Sequence, residues 1–270
     1  MSLAKEIAEH LAGRGVDTSS GSIEADDAHG SWSHIDMAIA LGGDGTMLRA
    51  GCLTAPHSVP VLGVNLGRLG FLAEVQRGEW PDVLARVLAS DYWLERRTML
   101  RVVVDRDGRL LHTFDALNEV FVGRGLTGRT VHIESYIDGG LFLKYVADGV
   151  IVATATGSTA YAMAAGGPIL PPELKNILMV AVAPHMIIDR PVVMDEDTTV
   201  ELRVVSEYHT VLSADGHDPI DLTANDRVRV QSSPHVARFV RVQPRSYFYQ
   251  TLLARMVRNP AADVEINPNR

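Results

Sequence analysis

The chain has 270 residues, 46% of them hydrophobic, enough to core one large or two small domains. Its formal net charge of −8 removes any general electrostatic case for nucleic acid or acidic lipid, so an anionic ligand must be held by local backbone amides and a few arginines. One cysteine, Cys52, excludes an internal disulfide framework; with charges at Lys5, Glu6 and Glu9 and no apolar run long enough to span a bilayer, a cytoplasmic protein with no membrane partner is predicted.

Ala4 to Ala12 reads as a short amphipathic helix, with Ile7 and Leu11 four residues apart on one face. Thr18 to Ser33 is polar, bears glycine and serine, and reads as a loop. Ile35 and Met37 to Leu41 form a short apolar run bounded by turn residues, the pattern of a buried strand in a parallel sheet. It leads into Leu41-Gly42-Gly43-Asp44-Gly45-Thr46, and residues 46–54 read as a helix. Glycines at such a junction let a ligand approach the main chain, and the helix start beyond offers unpaired N–H groups and a positive dipole end suited to phosphate. Gly42, Gly43, Gly45 and Thr46 are therefore candidate phosphate-donor residues. Asp44 would repel that phosphate unless it does chemistry beside it, taking a proton from a hydroxyl or holding a magnesium ion. Asp-Gly is also a common hairpin turn, but Met47, Leu48 and Leu53 do not alternate as a following strand requires.

Val59 to Asn65 is a second buried strand and ends in another glycine turn, Leu66-Gly67-Arg68-Leu69-Gly70-Phe71. Trp80 to Ala89 reads as a helix with Val83, Leu84, Val87 and Leu88 on one face and Pro81 near its first turn. Strand, turn and helix in repetition indicate a parallel α/β domain. From about Thr98 the period becomes two: Leu100–Val104, Val131–Ile137, Val200–Val204 and Arg227–Gln231 read as half-buried strands separated by Asp-Gly or Asn-Asp turns, the pattern of a β-sandwich. Ser246 to Val257 is helical again, with Phe248, Leu252 and Met256 in register, and a frayed tail is expected from about Asn259. The division expected is 1–97 for the α/β domain, with helix 246–257 packing back on it, and 98–245 for the β domain.

Gly123-Arg124-Gly125-Leu126-Thr127-Gly128 matches the dinucleotide fingerprint in letters only, because the residues after it alternate as a strand and the fingerprint needs a helix. The ten histidines are scattered, and no zinc site is predicted. Asp148 to Tyr161 is a buried strand ending in hydroxyl residues around Gly157, suited to a sugar or phosphate edge, or equally to an ordinary helix cap. In Ala116 to Val122 the polar pair Asn118-Glu119 sits inside an apolar strand, so one of them faces the core and needs a hydrogen-bond partner unless a bulge or strand start turns both outward.

These pieces stand in one order: Gly42-Gly43-Asp44-Gly45-Thr46, Asn65 to Leu72, Leu117-Asn118-Glu119-Val120, Asp148-Gly149, Thr156 to Tyr161, Ala165-Gly166-Gly167-Pro168, Ala183-Pro184-His185 with Arg190-Pro191, and Asp215-Gly216-His217. The series runs from about Ile35 to Tyr249 and resembles the NAD kinase family. Gly-Gly-Asp-Gly alone is shared with diacylglycerol, sphingosine and phosphofructo kinases; the whole series is much more specific. The resemblance implies a Rossmann-like α/β N-terminal domain and an all-β, sandwich-like C-terminal domain that binds NAD and mediates oligomerisation. It implies transfer of the terminal phosphate of ATP or polyphosphate to the adenosine 2′-hydroxyl of NAD, giving NADP, with Mg²⁺ or another divalent cation, in a homodimer or homotetramer.

Carried onto these residues, it implies Asp44 as general base with Gly45 beside the dinucleotide, and Phe71 against an adenine ring. Asn118 and Glu119 would bind ribose hydroxyls, and Arg129 and Asp148 the dinucleotide, the latter sometimes from a neighbouring subunit. Thr159, Ala160, Tyr161 and Ala164 would form the pocket wall, with Thr156 and Ser158 just before it, and His217 stands where the family often has glutamine and sometimes histidine. Two departures stand out. The family usually opens with a β-strand and an Asn-Pro turn before its first helix, where this sequence opens at the helix, and it usually has proline where Ala155 stands. Two rival readings stand beside this one: a lipid or sugar kinase of the wider Gly-Gly-Asp-Gly group, and a non-catalytic NAD(P)-binding sensor.

Overall fold

The computed structural model describes residues 2–23, 32–67, 70–125, 128–185 and 190–257. The elements in chain order are α1 (Leu3–Ala12), β1 (Ala38–Gly42), α2 (Asp44–Thr54), β2 (Val61–Asn65), β3 (Val75–Gln76), α3 (Trp80–Leu88), β4 (Trp93–Arg106), β5 (Arg109–Ala116), β6 (Glu119–Arg124), β7 (Val131–Ile137), β8 (Gly140–Ala147), β9 (Gly149–Thr154), α4 (Tyr161–Ala164), β10 (Ile177–Val182), β11 (Val192–Met194), β12 (Val200–Val204), β13 (Thr210–Ala214), β14 (Ile220–Leu222), β15 (Arg227–Arg241) and α5 (Tyr247–Val257). They fall into two compact units. One comprises Met1–Ala50, Val59–Leu94 and Phe239–Arg270, the other Gly51–Ser58 and Glu95–Arg238.

In the first unit β1 and β2 pair in parallel from Ala38 opposite Val61 to Gly42 opposite Asn65. β3 and Phe239 of β15 also pair in parallel with β2. β2 is buried along its whole length, as a parallel strand covered on both faces must be. α1 buries Leu3, Ile7 and Leu11, and α3 buries Val83 and Leu84, in one core with Leu62, Val64, Val75 and Val240. Pro81 sits in the first turn of α3, where its missing N–H is not needed. A short 3₁₀ turn, Trp32–His34, precedes β1, which begins at Ala38 rather than Ile35. Residues 24–31 of the expected polar loop, Arg68 and Leu69 of the second glycine turn, and the tail from Asn259 lie outside the described residues.

The second unit packs two sheets over one core. The first runs β15-β12-β7-β8, antiparallel throughout, and the β4–β5 hairpin joins it. The other is entirely antiparallel in the order β11-β10-β9-β6-β13-β14. Leu100, Val102, Ile133, Leu202 and Val228 of one face meet Val120, Val122, Val150, Val152 and Met179 of the other. Burying each such side chain is worth about 1.5–3 kcal/mol, and alternation delivers them all to the same layer. The hairpins turn at Asp107-Gly108, Asp138-Gly139 and Asp215-Gly216, with positive φ at both residues of each pair, the turn whose twist matches the flanking strands. Gly123 and Arg124 end β6, Gly125 and Gly128 lie before β7, which follows as a strand and not a helix, and Leu126 and Thr127 are outside the described residues. One expectation needs correction: Ala116 to Val122 is not a single strand. β5 ends at Ala116, Leu117 and Asn118 form a bend, and β6 begins at Glu119.

Candidate functional site

β1 delivers Gly42 opposite Asn65, and Gly43 turns the chain into α2. The Gly43 carbonyl accepts the amides of Thr46 and Met47 at 3.0 and 3.1 Å, so the helix begins at Asp44, earlier than its apolar face indicates. The Asp44 carboxylate then crosses to the second glycine turn. Its Oδ2 accepts the Phe71 amide at 2.7 Å and its Oδ1 the Leu72 amide at 3.0 Å. Each oxygen retains a lone pair for a further donor.

The glycines here do two different jobs. A Cβ on Gly70 would stand 2.1 Å from Asp44 Oδ1, and one on Gly42 would stand 2.2 Å from the Thr46 hydroxyl oxygen. At Gly43 and Gly45 nothing lies within 4 Å of that position. The first pair lets the turns close on each other, and the second leaves the main chain open at a helix start that favours an anion. The Phe71 ring lies 5.6 Å from the Arg255 guanidinium of α5, whose buried Nε has no hydrogen-bond partner. No sequence motif marks Arg255; only helical periodicity covers it.

In the second unit the bend at Leu117-Asn118 is clamped from two sides. Asp215 accepts three successive amides, from Leu117 at 2.6 Å on Oδ2 and from Asn118 and Glu119 at 2.8 and 3.1 Å on Oδ1. Its own amide donates to the Glu119 carbonyl at 3.1 Å. On the other side Thr154 donates its amide to the Asn118 carbonyl at 2.9 Å and its hydroxyl to the Leu117 carbonyl at 2.6 Å. A Cβ on Gly157 would stand 2.1 Å from the Asn118 carbonyl oxygen. Cys52 donates its thiol to Asp215 Oδ2 at 3.6 Å. Burial, followed by the negative charge of Asp215, pushes that thiol well above its ordinary range, so it is a neutral donor and not a nucleophile.

Glu119 opens β6 beneath this clamp. Its Oε2 is buried with no hydrogen-bond partner. Burial, and then the charge of Asp215, push its carboxyl up to about 7, against the opposing pull of the Tyr161 amide. Near neutrality it therefore exists in both a donating and an accepting form. The hydroxyl of Thr156, in the turn after β9, is also buried and unpartnered. Leaving a polar atom so costs about 1–3 kcal/mol, so both oxygens are open to a hydrogen-bonding partner.

The remaining expected residues divide by what they touch. Thr159 donates to the Thr156 carbonyl at 3.2 Å, and Ala160 leads into α4, which carries Tyr161 and Ala164, both exposed. The Tyr161 ring lies 5.5 Å from that of Phe121. Ser158 is fully buried; its hydroxyl donates to the Ala155 carbonyl at 2.6 Å and accepts the Leu170 amide at 2.9 Å, and so holds the turn together. Asp148 is paired with Arg124 at 3.1 Å. Arg129 lies over the Tyr208 ring at 5.0 Å, and His217 is exposed two residues after Asp215. Gly42, Gly43, Asp44, Gly45, Thr46 and Phe71 belong to the first unit, and the other candidates to the second.

Residues 18–92 match the ATP-NAD kinase N-terminal domain, and residues 117–242 match the ATP-NAD kinase C-terminal domain. The chain belongs to the NAD kinase family. An NAD kinase of Chloroflexus aurantiacus is 42% identical over 258 residues, 95% of this chain and 94% of that protein. Another, of Symbiobacterium thermophilum, is 45% identical over 82% of this chain and 78% of its own length. Among solved structures, an NAD kinase from Archaeoglobus fulgidus in complex with ATP matches with a TM-score of 0.76 at 25% identity, covering 94% of each chain. Yeast NADH kinase complexed with NADH matches with a TM-score of 0.74 at 28% identity, over 81% of this chain and 67% of that one. NAD kinases are phosphotransferases, and membership in their family sets aside the lipid- and sugar-kinase reading. The two halves of the family pattern fall on the two clusters described above.

Proposed function

We propose that this chain transfers the terminal phosphate of ATP, or of inorganic polyphosphate, to the 2′-hydroxyl of the adenosine ribose of NAD. The pair of buried, unpartnered oxygens, Glu119 Oε2 and Thr156 Oγ1, carries the reading, because ribose hydroxyls would partner them. Asn118 and Glu119 hold the ribose, Glu119 donating when protonated and accepting when charged. Thr159, Ala160, Tyr161 and Ala164 wall the pocket, and Ser158 shapes it from behind. Arg129, Asp148 and His217 meet the rest of the dinucleotide, and Phe71 offers its face to adenine.

Gly42, Gly43, Gly45 and Thr46 receive the donor phosphates at the start of α2. Asp44 takes the proton of the 2′-hydroxyl as that oxygen bonds to the terminal phosphorus, and the bond from phosphorus to the rest of the donor breaks. Magnesium or another divalent cation supplies charge neutralisation when bound with the donor. The free lone pairs of Asp44 would hold it beside the donor. Donor binding and the base fall to the first unit with α5, and NAD binding and homo-oligomer formation fall to the second. A reducing cytoplasm suits the free Cys52 thiol; no described helix is long and apolar enough to cross a membrane.

The test is NADP formation from NAD, Mg²⁺ and either donor, with wild type beside Asp44→Asn. Turnover that collapses in the variant while NAD binding persists supports the reading. A folded wild type that binds NAD and turns over with neither donor overturns it, in favour of a non-catalytic sensor.

A further inference from the structure

On the face of the β15-β12-β7-β8 sheet opposite its core lies a hollow of about 390 Å³, lined by Tyr136, Thr199, Glu201, Arg203, Arg227 and Arg229. The arginines alternate with Leu202, Val204, Val228 and Val230, whose side chains fill the sandwich, so they point away from it. Two rows of side chains cross these strands. In one, Tyr136, Glu201 and Arg229 are successive partners, and Arg229 reaches Glu201 at 3.5 Å. In the other, Lys144, Glu134, Arg203 and Arg227 are successive partners. There Glu134 pairs with Lys144 and accepts the Tyr136 hydroxyl, each at 2.7 Å, and its charge also acts on Arg203. On its other side Arg203 faces Arg227 directly, and like charges so placed destabilise a sheet. Arg203 gives one N–H to Asn225 at 2.9 Å, while its Nε is buried with no partner. For Arg227 no ion-pair partner is found among the described residues.

A chain of net charge −8 thus gathers three guanidinium groups around one hollow with a single lining carboxylate, Glu201. Guanidinium forks match phosphate oxygens two at a time, and a hollow of this volume suits a small ligand. We infer that this face binds a chain of two or more phosphoryl groups, free or carried on a nucleotide, at a site separate from the glycine loop of α2. The ligand supplies the anion that Arg227 lacks among the described residues and relieves its repulsion with Arg203, and so stabilises the second unit.

Titration calorimetry and thermal unfolding with inorganic tripolyphosphate, and separately with GTP, test this in wild type, Arg203→Ser and Arg227→Glu. Tripolyphosphate should show a binding event that each variant weakens about tenfold or more, while any event at the donor loop survives. Arg227→Glu places a carboxylate opposite Arg203, so it should melt higher than wild type without ligand and gain nothing from adding it. If GTP binds more tightly than tripolyphosphate, the phosphate chain is nucleotide-borne; the reverse order assigns it to a free oligophosphate. Equal binding in wild type and both variants overturns the proposal. So does a change in sedimentation of the variants with no phosphate binding in wild type, which makes this face a contact between copies of the chain.

Discussion

Asp215 accepts the backbone amide of Glu119 at 3.1 Å and is also the charge that, after burial, raises the Glu119 side chain. One carboxylate therefore holds Glu119 in place and adds to the effect of burial in favouring its protonated form. The grip extends across three successive amides, which explains how a two-residue bend between β5 and β6 holds a fixed shape.

The raised Glu119 carboxyl makes folding pH-dependent with a definite sign. Its ordinary value is 4.5 and its folded value about 7. Between these the folded chain binds more protons than the unfolded one, so stability falls as pH rises through that window. Below 4.5 the penalty is absent, and above 7 it is complete, at most about 3 kcal/mol. Glu119→Gln should show a flatter stability profile from pH 4.5 to 7 and be the more stable protein at pH 8, with weaker NAD binding. Urea unfolding at pH 5 and pH 8 measures it. Asp215, also raised by burial, adds a slope of the same sign that the variant keeps.

Asp215→Asn separates the two actions. The amide replaces one accepting oxygen with a donor that must face an N–H, costing about 1–3 kcal/mol in the clamp. It also removes a negative charge from beside Glu119. NAD binding should weaken by roughly tenfold, and its pH dependence should shift toward acid as the Glu119 carboxyl titrates lower. A loss of affinity with an unmoved pH profile would make Asp215 a packing residue only.

How far the sequence foretold this arrangement depends on whether a signal was local. β7 and β12 coincide with their apolar–polar alternation, because Val131, Ile133 and Ser135 of one and Val200, Leu202 and Val204 of the other are buried. β4 extends seven residues before the expected Leu100 because it buries a charged pair, Glu95 with Arg97 at 2.9 Å, and that pair breaks the apolar pattern. The polar Asn118-Glu119 pair posed the right question, yet its answer was a bend held from 97 and 96 residues away. Nothing near Asp215 in sequence indicates that contact, since Asp-Gly already has a sufficient meaning as a turn. Ser158 shows the converse: in a row of hydroxyl residues, only the structure separates the one consumed by backbone groups from Thr156, which is left without a partner.

Asp44→Asn should lower kcat by about 10²–10⁴ and leave the NAD dissociation constant within a few-fold, because the amide can still accept one of the two backbone bonds. Steady-state kinetics beside NAD titration distinguishes this from a folding defect. A variant that keeps near-wild-type kcat removes Asp44 from the role of base.

Gly43→Ala and Gly70→Ala should fail in opposite ways. At Gly70 the added methyl would overlap the Asp44 carboxylate, 2.1 Å from Oδ1, and that oxygen already accepts the Leu72 amide. The carboxylate must swing away and release the turn, so kcat and melting temperature should fall together, with about 1–3 kcal/mol lost from the broken bonds. At Gly43 no atom lies within 4 Å of the new methyl, and Gly43 is not among the glycines with positive φ. Folding therefore has no reason to suffer. If donor phosphates lie against this stretch of main chain, the methyl occupies their space, and KM for the donor should rise at least tenfold, about 1.4 kcal/mol, at unchanged melting temperature. Unchanged donor KM in a stable Gly43→Ala enzyme would place the phosphates elsewhere than on the open glycines of α2.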